Sequence, residues 1–286
     1  MIIHEKAYAK LNISLDVGRR REDGYHDMVM IMQTVSLADD IRIETDGSGE
    51  VSAQSNLPFI PGDERNLAVK AAKLWLEAAG RADGAKITLN KRIPVGAGMA
   101  GGSANAAAVL RGMNRAFGAP LTDTELLSLA EKTGSDVPFC LCGGTMLAGG
   151  RGEVLTRLRD MPDCTIAICK PRFSVSTPEL FAKLDSRPGR HHPDTAGILA
   201  SLAEGDLGGI CRRMYNVFED VGDRRMRTVA DIKSTLLDAG ALGAMMTGTG
   251  SAVFGIFTDS ASAEAVIPPL VREYGFATTA RPVSYI

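Results

Sequence analysis

Cysteine is scarce in this sequence and shows no pattern: Cys140, Cys142, Cys164, Cys169 and Cys211 make an odd number and contain no Cys-x-x-Cys pair. Neither a secreted disulfide framework nor a cysteine-based metal site fits, and no metal ligands are assigned; a reduced, cytoplasmic protein is expected. An excess of either charge is also missing. The 32 basic and 34 acidic side chains leave a formal charge of -2, so nothing draws the whole molecule to nucleic acid or an anionic membrane, and neither partner is expected. Any anionic ligand must be held locally. No run reaches the roughly 18 uninterrupted apolar residues of a membrane span. The first residues alternate apolar and polar and carry His4, Glu5, Lys6 and Lys10, unlike the apolar centre of a signal peptide. His-Arg-Asp and Asp-Phe-Gly tripeptides are absent, which excludes a protein kinase. There is no internal repeat or low-complexity tract.

What is present reads as an α+β protein. A chain of 286 residues is long for one domain, and two are expected, 1–157 and 158–286. Period-two alternation predicts a strand over 7–17, and the polar, glycine-flanked stretch 18–24 supplies a hairpin tip before Tyr25 and His26. Further strands are expected at 29–37, 41–45 and 85–89. Leu67, Ala71, Leu74 and Ala78 recur at helical spacing within 64–79, with Gly80 as a stop. Thr122 and Glu125 have the spacing of a capping box, opening a helix that Gly134 ends. The second half predicts a strand at 165–169, a helix from Pro178, a charged loop over 185–194 and helices near 207–221 and 225–239. It closes with a strand, a Gly-Thr-Gly turn, a strand at 252–257, a helix over 261–274 and a strand near Ala277. That order suggests a second α+β layer.

The densest chemical signal is the run Pro94-Val95-Gly96-Ala97-Gly98-Met99-Ala100-Gly101-Gly102-Ser103-Ala104, followed by Ala106, Val109, Leu110, Met113 and Phe117 at helical spacing. Glycines let backbone N–H groups approach phosphate oxygens, and the following helix adds the positive end of its dipole. Two look-alikes fail. The Gly-x-Gly-x-x-Gly spelling of a dinucleotide site should follow the first strand and be answered about 20 residues on by a strand-end acid, whereas Asp123 and Glu125 sit in the capping box. A P-loop needs Lys before Ser or Thr, and Gly102 stands there. A loop serving only tight packing remains the plain alternative.

The loop with the following Asn105, Ala106 and Ala107 resembles the phosphate loop of the GHMP kinases, the family of galactokinase, homoserine kinase and mevalonate kinase. Ala9-Lys10-Leu11-Asn12 and Thr247-Gly248-Thr249-Gly250-Ser251-Ala252 resemble its other two motifs, in family order. Asp23-Gly24-Tyr25-His26, Gly134-Ser135-Asp136-Val137-Pro138-Phe139 and Thr177-Pro178-Glu179-Leu180-Phe181 resemble the branch acting on a cytidylyl alcohol. The resemblance implies a two-domain GHMP fold whose C-terminal part is ferredoxin-like, with the active site in the cleft between. It also implies ATP as co-substrate, Mg2+ accompanying ATP, and phosphorylation of a hindered tertiary hydroxyl on the non-mevalonate isoprenoid route. Ala104 departs from the family, where many members have a second serine, so a hydroxyl contact there is lost or moves to Ser103.

The resemblance brings roles for individual residues. Residues 94–104 would hold ATP. Asp136 would accept the alcohol proton and Lys10 would neutralise developing charge, against plain alternatives of a helix cap for Asp136 and a solvated strand lysine for Lys10. Asn12 lies two residues from Lys10 on one strand face and would touch the same substrate. Tyr25 and Phe181 would sandwich cytosine and His26 would read its edge, against core packing for Phe181 and hairpin-tip positions for the other two. Gly248 and Thr249 would meet the erythritol-phosphate side, against an ordinary hairpin turn. Lys91 and Asn66 flank the nucleotide half. Arg19, Arg20 and Arg21 read as a solvated hairpin end and stay outside the site. His4, His191 and His192 are expected on the surface. A sugar, homoserine or mevalonate kinase, and a nucleotide-binding regulator without catalysis, are the rival readings.

Overall fold

The computed structural model describes residues 1–187, 189, 191–221 and 224–284. The chain begins with a long hairpin of β1 (Ile2–Arg20) and β2 (His26–Asp46), paired antiparallel. From Ala9 to Leu15 every residue of β1 is buried, as expected of a strand covered on both faces. The sequence suggests a break in β2 near Asp39 and Asp40, yet the strand is continuous. Asp39 is wholly buried but accepts several hydrogen bonds, and Asp40 pairs with Lys6 directly opposite, so neither carboxylate has to leave the sheet.

β4 (Gly84–Asn90) extends the sheet along one end of β2, and β3 (Val51–Ser55) lies parallel to β4 beyond it. The other end of β2 pairs with β5 (Thr145–Gly149), which carries β6 (Val154–Arg157). The short strands β3, β5 and β6 are additions to the sequence reading; none has enough alternation to announce itself. Against this sheet pack α1 (Leu67–Ala78), α2 (Gly101–Ala116) and α4 (Val137–Cys142), and α3 (Asp123–Thr133) packs on these helices. α2 lies on β1 and touches the other three helices, so Ala104, Ala106, Ala107, Ala108, Val109, Leu110 and Met113 are buried. Both arms of the capping box at Thr122 and Glu125 are present.

The remainder builds a four-stranded antiparallel sheet, β11–β7–β10–β9, from β7 (Thr165–Lys170), β9 (Gly243–Met246), β10 (Val253–Phe257) and β11 (Phe276–Ala280). Its helices are α5 (Thr177–Asp185), α6 (Thr195–Glu204), α7 (Leu207–Arg213), α8 (Arg225–Asp238), α9 (Ser260–Ala265) and α10 (Ile267–Tyr274). The single helix expected over 261–274 is two, because Pro268 and Pro269 open a new helix. The helix expected near 207–221 stops at Arg213. β8 (Tyr215–Asn216) then pairs in parallel with Ser14 and Leu15 of β1, and a 3-10 turn spans Val217–Val221. α6 is a further addition to the sequence reading. Pro188 and Arg190, within the expected charged loop, lie outside the described residues.

Besides the 247–250 turn, which bonds to β1, two segments among the described residues stitch the second sheet to the first. One is β8. The other is the C-terminal tail, which bridges to Val35 at Pro282, while Ser36 N–H donates to Arg281 and Val283 N–H to Thr34. Among the described residues no helix is long and apolar enough to cross a membrane.

Candidate active site

The glycine run leaves β4 through Lys91–Ile93 and enters α2 at Gly101. Ala100, the residue before the helix, has a left-handed backbone with φ 55°, uncommon for alanine, and no side chain caps the helix. The first N–H groups of α2 are therefore left without a side-chain cap, as an anion cradle requires. The loop itself is held by its neighbours. Ala252 N–H donates to the Ala97 carbonyl, Lys10 N–H to that of Met99, and the Thr247 hydroxyl to that of Gly98. Gly98, at φ 74°, lies so close to the 247–250 turn that a Cβ would fall 2.2 Å from the Thr247 oxygen. The turn is thus a backbone-to-backbone buttress of the loop.

One buried carboxylate fixes where the loop starts. Asp39 accepts from Arg92 N–H at 2.6 Å, Ile93 N–H at 2.8 Å and Asn105 Nδ2 at 2.7 Å, and it pairs closely with the Lys91 ammonium. Lys91 also reaches Asn105 Oδ1 at 2.9 Å and the Gly101 carbonyl at 3.4 Å, so its three N–H groups are engaged within the protein. Asn66 caps α1 by accepting from Ala68 N–H.

The loop separates two cavities. One, of about 390 Å3, is lined by Asn66, Lys91, Asn105 and all of Pro94 to Ser103. The other, of about 700 Å3, is lined by Lys10, Tyr25, His26, Asp136, Phe181, Gly248 and Thr249 among others. Gly96, Gly98 and Ala100 line both. Of the expected nucleotide residues only Ala104 faces neither; it is buried in the first turn of α2. A third concavity, of about 590 Å3, shares no residue with these two, and its charges pair off, Glu5 with both Arg111 and Arg115.

Lys10 is buried, with only 5% of its surface exposed, because β1 runs beneath the loop. Its ammonium donates to Asn12 Oδ1 at 2.6 Å, which is the shared strand face expected from their spacing, and lies 4.0 Å from Asp136 Oδ2. Asp136 occupies the N-cap position of α4 yet makes no capping hydrogen bond; its carboxylate, about a third exposed, turns to the cavity instead. An oxygen about 2.8 Å from each group fits between them. Asn12 is wholly buried. Its N–H donates to the Thr247 hydroxyl, and its side-chain nitrogen has no partner among the described residues.

At the other end of the large cavity His26 is buried, with Nε2 2.7 Å from Asp185 Oδ1 at the end of α5. Phe181 stacks on His26 at 4.9 Å between ring centroids and meets Phe218 edge-on at 5.0 Å. Tyr25, at the hairpin tip, is 54% exposed. Against the expectation that the arginine triplet stays outside the site, Arg20 lines this cavity, as does Arg151, whereas Arg21 pairs with Asp23 and Asp27. Thr249 exchanges a hydroxyl hydrogen bond of 2.8 Å with Thr177. Asp39, Arg151 and Asp185 do not stand out in the sequence, where each is one charged residue among many; Thr177, Thr247 and Asn105 stand within quoted motifs.

All five cysteines are free thiols. Burial pushes those of Cys164, Cys169 and Cys211 up to about 12 and raises Cys140 further. His4, His191 and His192 are exposed.

This geometry has known relatives. The profile for the GHMP kinases N terminal domain matches residues 66–144, and that for GHMP kinases C terminal matches 198–275. A 4-diphosphocytidyl-2-C-methyl-D-erythritol kinase of Clostridium botulinum (strain Alaska E43 / Type E3) is 42% identical over 94% of this chain and 96% of its own length. One of Lachnospira eligens (strain ATCC 27750 / DSM 3376 / VPI C15-48 / C15-B4), bearing the same name, is 45% identical over 91% of this chain and 90% of its own. A crystal structure of 4-(cytidine 5'-diphospho)-2C-methyl-D-erythritol kinase superposes with a TM-score of 0.81 at 33% identity, covering 98% of both chains. With both halves of the chain matched and the glycine loop set between two cavities, the protein belongs to the GHMP kinase family of small-molecule phosphotransferases.

Proposed function

We propose that this chain transfers the γ-phosphoryl group of ATP to the 2-hydroxyl of 4-diphosphocytidyl-2-C-methyl-D-erythritol, in the non-mevalonate route to isoprenoid precursors. The observation that carries the reading is the loop standing as a common wall. Amides after Pro94 face the smaller cavity, while the Lys10–Asp136 pair faces the larger one 4.0 Å apart.

The smaller cavity takes ATP, with its phosphates over the loop and the first turn of α2. Mg2+ enters as the counter-ion of those phosphates, a role that needs one or two protein oxygens rather than a cage. Among the described residues no group of three or more His, Cys, Asp or Glu gathers into a site of its own. The larger cavity takes the acceptor. Its hydroxyl lies between the two charged groups: Asp136 accepts the proton as the oxygen attacks phosphorus, and Lys10 offsets the charge that spreads over the phosphoryl oxygens. ADP leaves on the far side. Asn12 is buried and does not line the larger cavity, so it serves the substrate indirectly, by holding Lys10 through Oδ1.

The cytidine end goes to Tyr25, His26 and Phe181, with Asp185 orienting the imidazole. Gly248 and Thr249 border the acceptor's erythritol side. A tertiary alcohol is a hindered nucleophile, so positioning supplies much of the acceleration. The free, buried thiols support action in the reducing cytoplasm.

Substrate profiling of the purified protein with cytidylyl and non-nucleotide alcohols tests the assignment by following ADP release. Turnover confined to the cytidylyl alcohol is expected. Turnover of mevalonate, homoserine or galactose alone would replace the substrate, and silence with every acceptor would leave only a nucleotide-binding protein.

A further inference from the structure

Tyr25 sits on an exposed hairpin tip, where an aromatic ring has little reason to stay over a cavity. Its backbone is tied locally: Tyr25 N–H donates to Asp23 and its carbonyl accepts from Arg21 N–H. These bonds leave the side chain free to rotate. The ring is instead covered by a residue from the turn between β5 and β6, Arg151, whose guanidinium carbon lies 5.1 Å from the ring centroid. That turn is itself anchored. Met28 N–H donates to the Gly150 carbonyl at 2.7 Å, and Gly152 N–H closes the turn onto Gly149 at 2.9 Å. The Arg151 side chain is 44% exposed, and its charged partner, Glu153, is distant, with 3.9 Å between Nε and the carboxylate. A guanidinium with so loose an ion pair keeps its affinity for an aromatic face.

We propose that Arg151 is a positioning residue for the acceptor. Its guanidinium occupies one face of Tyr25 and holds the ring over the larger cavity, leaving the opposite face for the pyrimidine. The inference rests on the proposed reading of Tyr25 as a stacking partner of cytosine. Arg151 acts through Tyr25, so its effect belongs to acceptor binding, without a share in phosphoryl transfer or ATP binding. It depends on the planar cation, since lysine keeps the charge but not the flat face.

The test measures binding of cytidine diphosphate and of a non-hydrolysable ATP analogue by calorimetry. The wild type, Arg151→Ala, Arg151→Lys, Tyr25→Leu and the Arg151→Ala/Tyr25→Leu double variant are compared. Arg151→Ala should weaken cytidine diphosphate about three- to tenfold, the scale of a cation–π contact, with Arg151→Lys between it and the wild type. Binding of the ATP analogue should be unchanged throughout, which also verifies folding. In the Tyr25→Leu background the alanine substitution should cost nothing more. An equal loss in that background would mean that Arg151 touches the ligand directly, and no loss in the wild-type background would remove the role altogether; either result overturns the proposal. If Tyr25→Leu leaves cytidine diphosphate binding intact, or the wild type binds only the ATP analogue, the fault lies in the underlying acceptor reading and the inference falls with it.

Discussion

Replacing Gly98 by alanine probes the wall between the two cavities at the point where it presses on the 247–250 turn. Two costs arise and can be separated. At φ 74° a side chain costs about 1–2 kcal/mol in backbone strain alone. In addition the new Cβ would stand 2.2 Å from the Thr247 oxygen and 3.2 Å from the Gly250 nitrogen, both backbone atoms, so the loop and the 247–250 turn must part by on the order of 1 Å. That displacement passes to the reacting groups. The Thr247 hydroxyl binds both the Gly98 carbonyl and Asn12 N–H, and Met99 accepts from Lys10 N–H. A misplacement of about 1 Å is enough to lower kcat/KM by on the order of a hundredfold. Gly240→Ala supplies the control, because Gly240 also has a left-handed backbone, φ 98°, but its Cβ would meet no atom within 4 Å. Both variants should lose a few degrees in Tm, about 2–4 °C per kcal/mol for a chain of this size. Only Gly98→Ala should lose activity in a coupled ADP-release assay. If the two variants behave alike, close contact between loop and turn has no part in catalysis.

Asp136→Asn keeps the size of the side chain but cannot take a proton, so kcat should fall at least about a hundredfold with KM for ATP nearly unchanged; near-normal turnover would withdraw the base role. Phe181→Ala removes a candidate stacking face and should raise the acceptor KM roughly five- to a hundredfold, with a smaller effect on kcat. An unchanged acceptor KM would reject the sandwich. In the native protein at pH 8 an aromatic disulfide reagent should label only Cys142, and slowly because partial burial raises its thiol too, since Cys140, Cys164, Cys169 and Cys211 are buried out of reach; denaturant should release all five. Rapid native labelling of a second thiol would contradict that packing.

Much of the framework was legible because its signals are local. The capping box at Thr122 and Glu125, the period of α1 and the glycine run feeding α2 each lie within one short window, and each element forms where expected. The elements that escaped depend on distant partners. β5 is a short strand stabilised by pairing with β2, β6 is held by β5, and β8 is two residues long and exists by pairing with β1. Asp39 and Asp40 read as a strand end, and only the folded protein supplies the donors that keep them in β2. The candidate site divides the same way. Lys10 and Asn12 share a strand and their proximity follows from period two, whereas His26 and Asp185 are 159 residues apart and no spacing announces that pair. Arg151 lies in a glycine turn with nothing to mark it until the turn is seen against Tyr25.

Since Gly96, Gly98 and Ala100 border both chambers, a single stretch of peptide separates them at these residues. A bivalent inhibitor could therefore join a phosphate-mimicking head to a cytidine-like one through a tether that passes the Lys10–Asp136 pair and runs the length of the larger chamber to His26 and Phe181. The second head would then bind at an effective concentration of about millimolar, and avidity would exceed that of either fragment by on the order of a hundredfold or more.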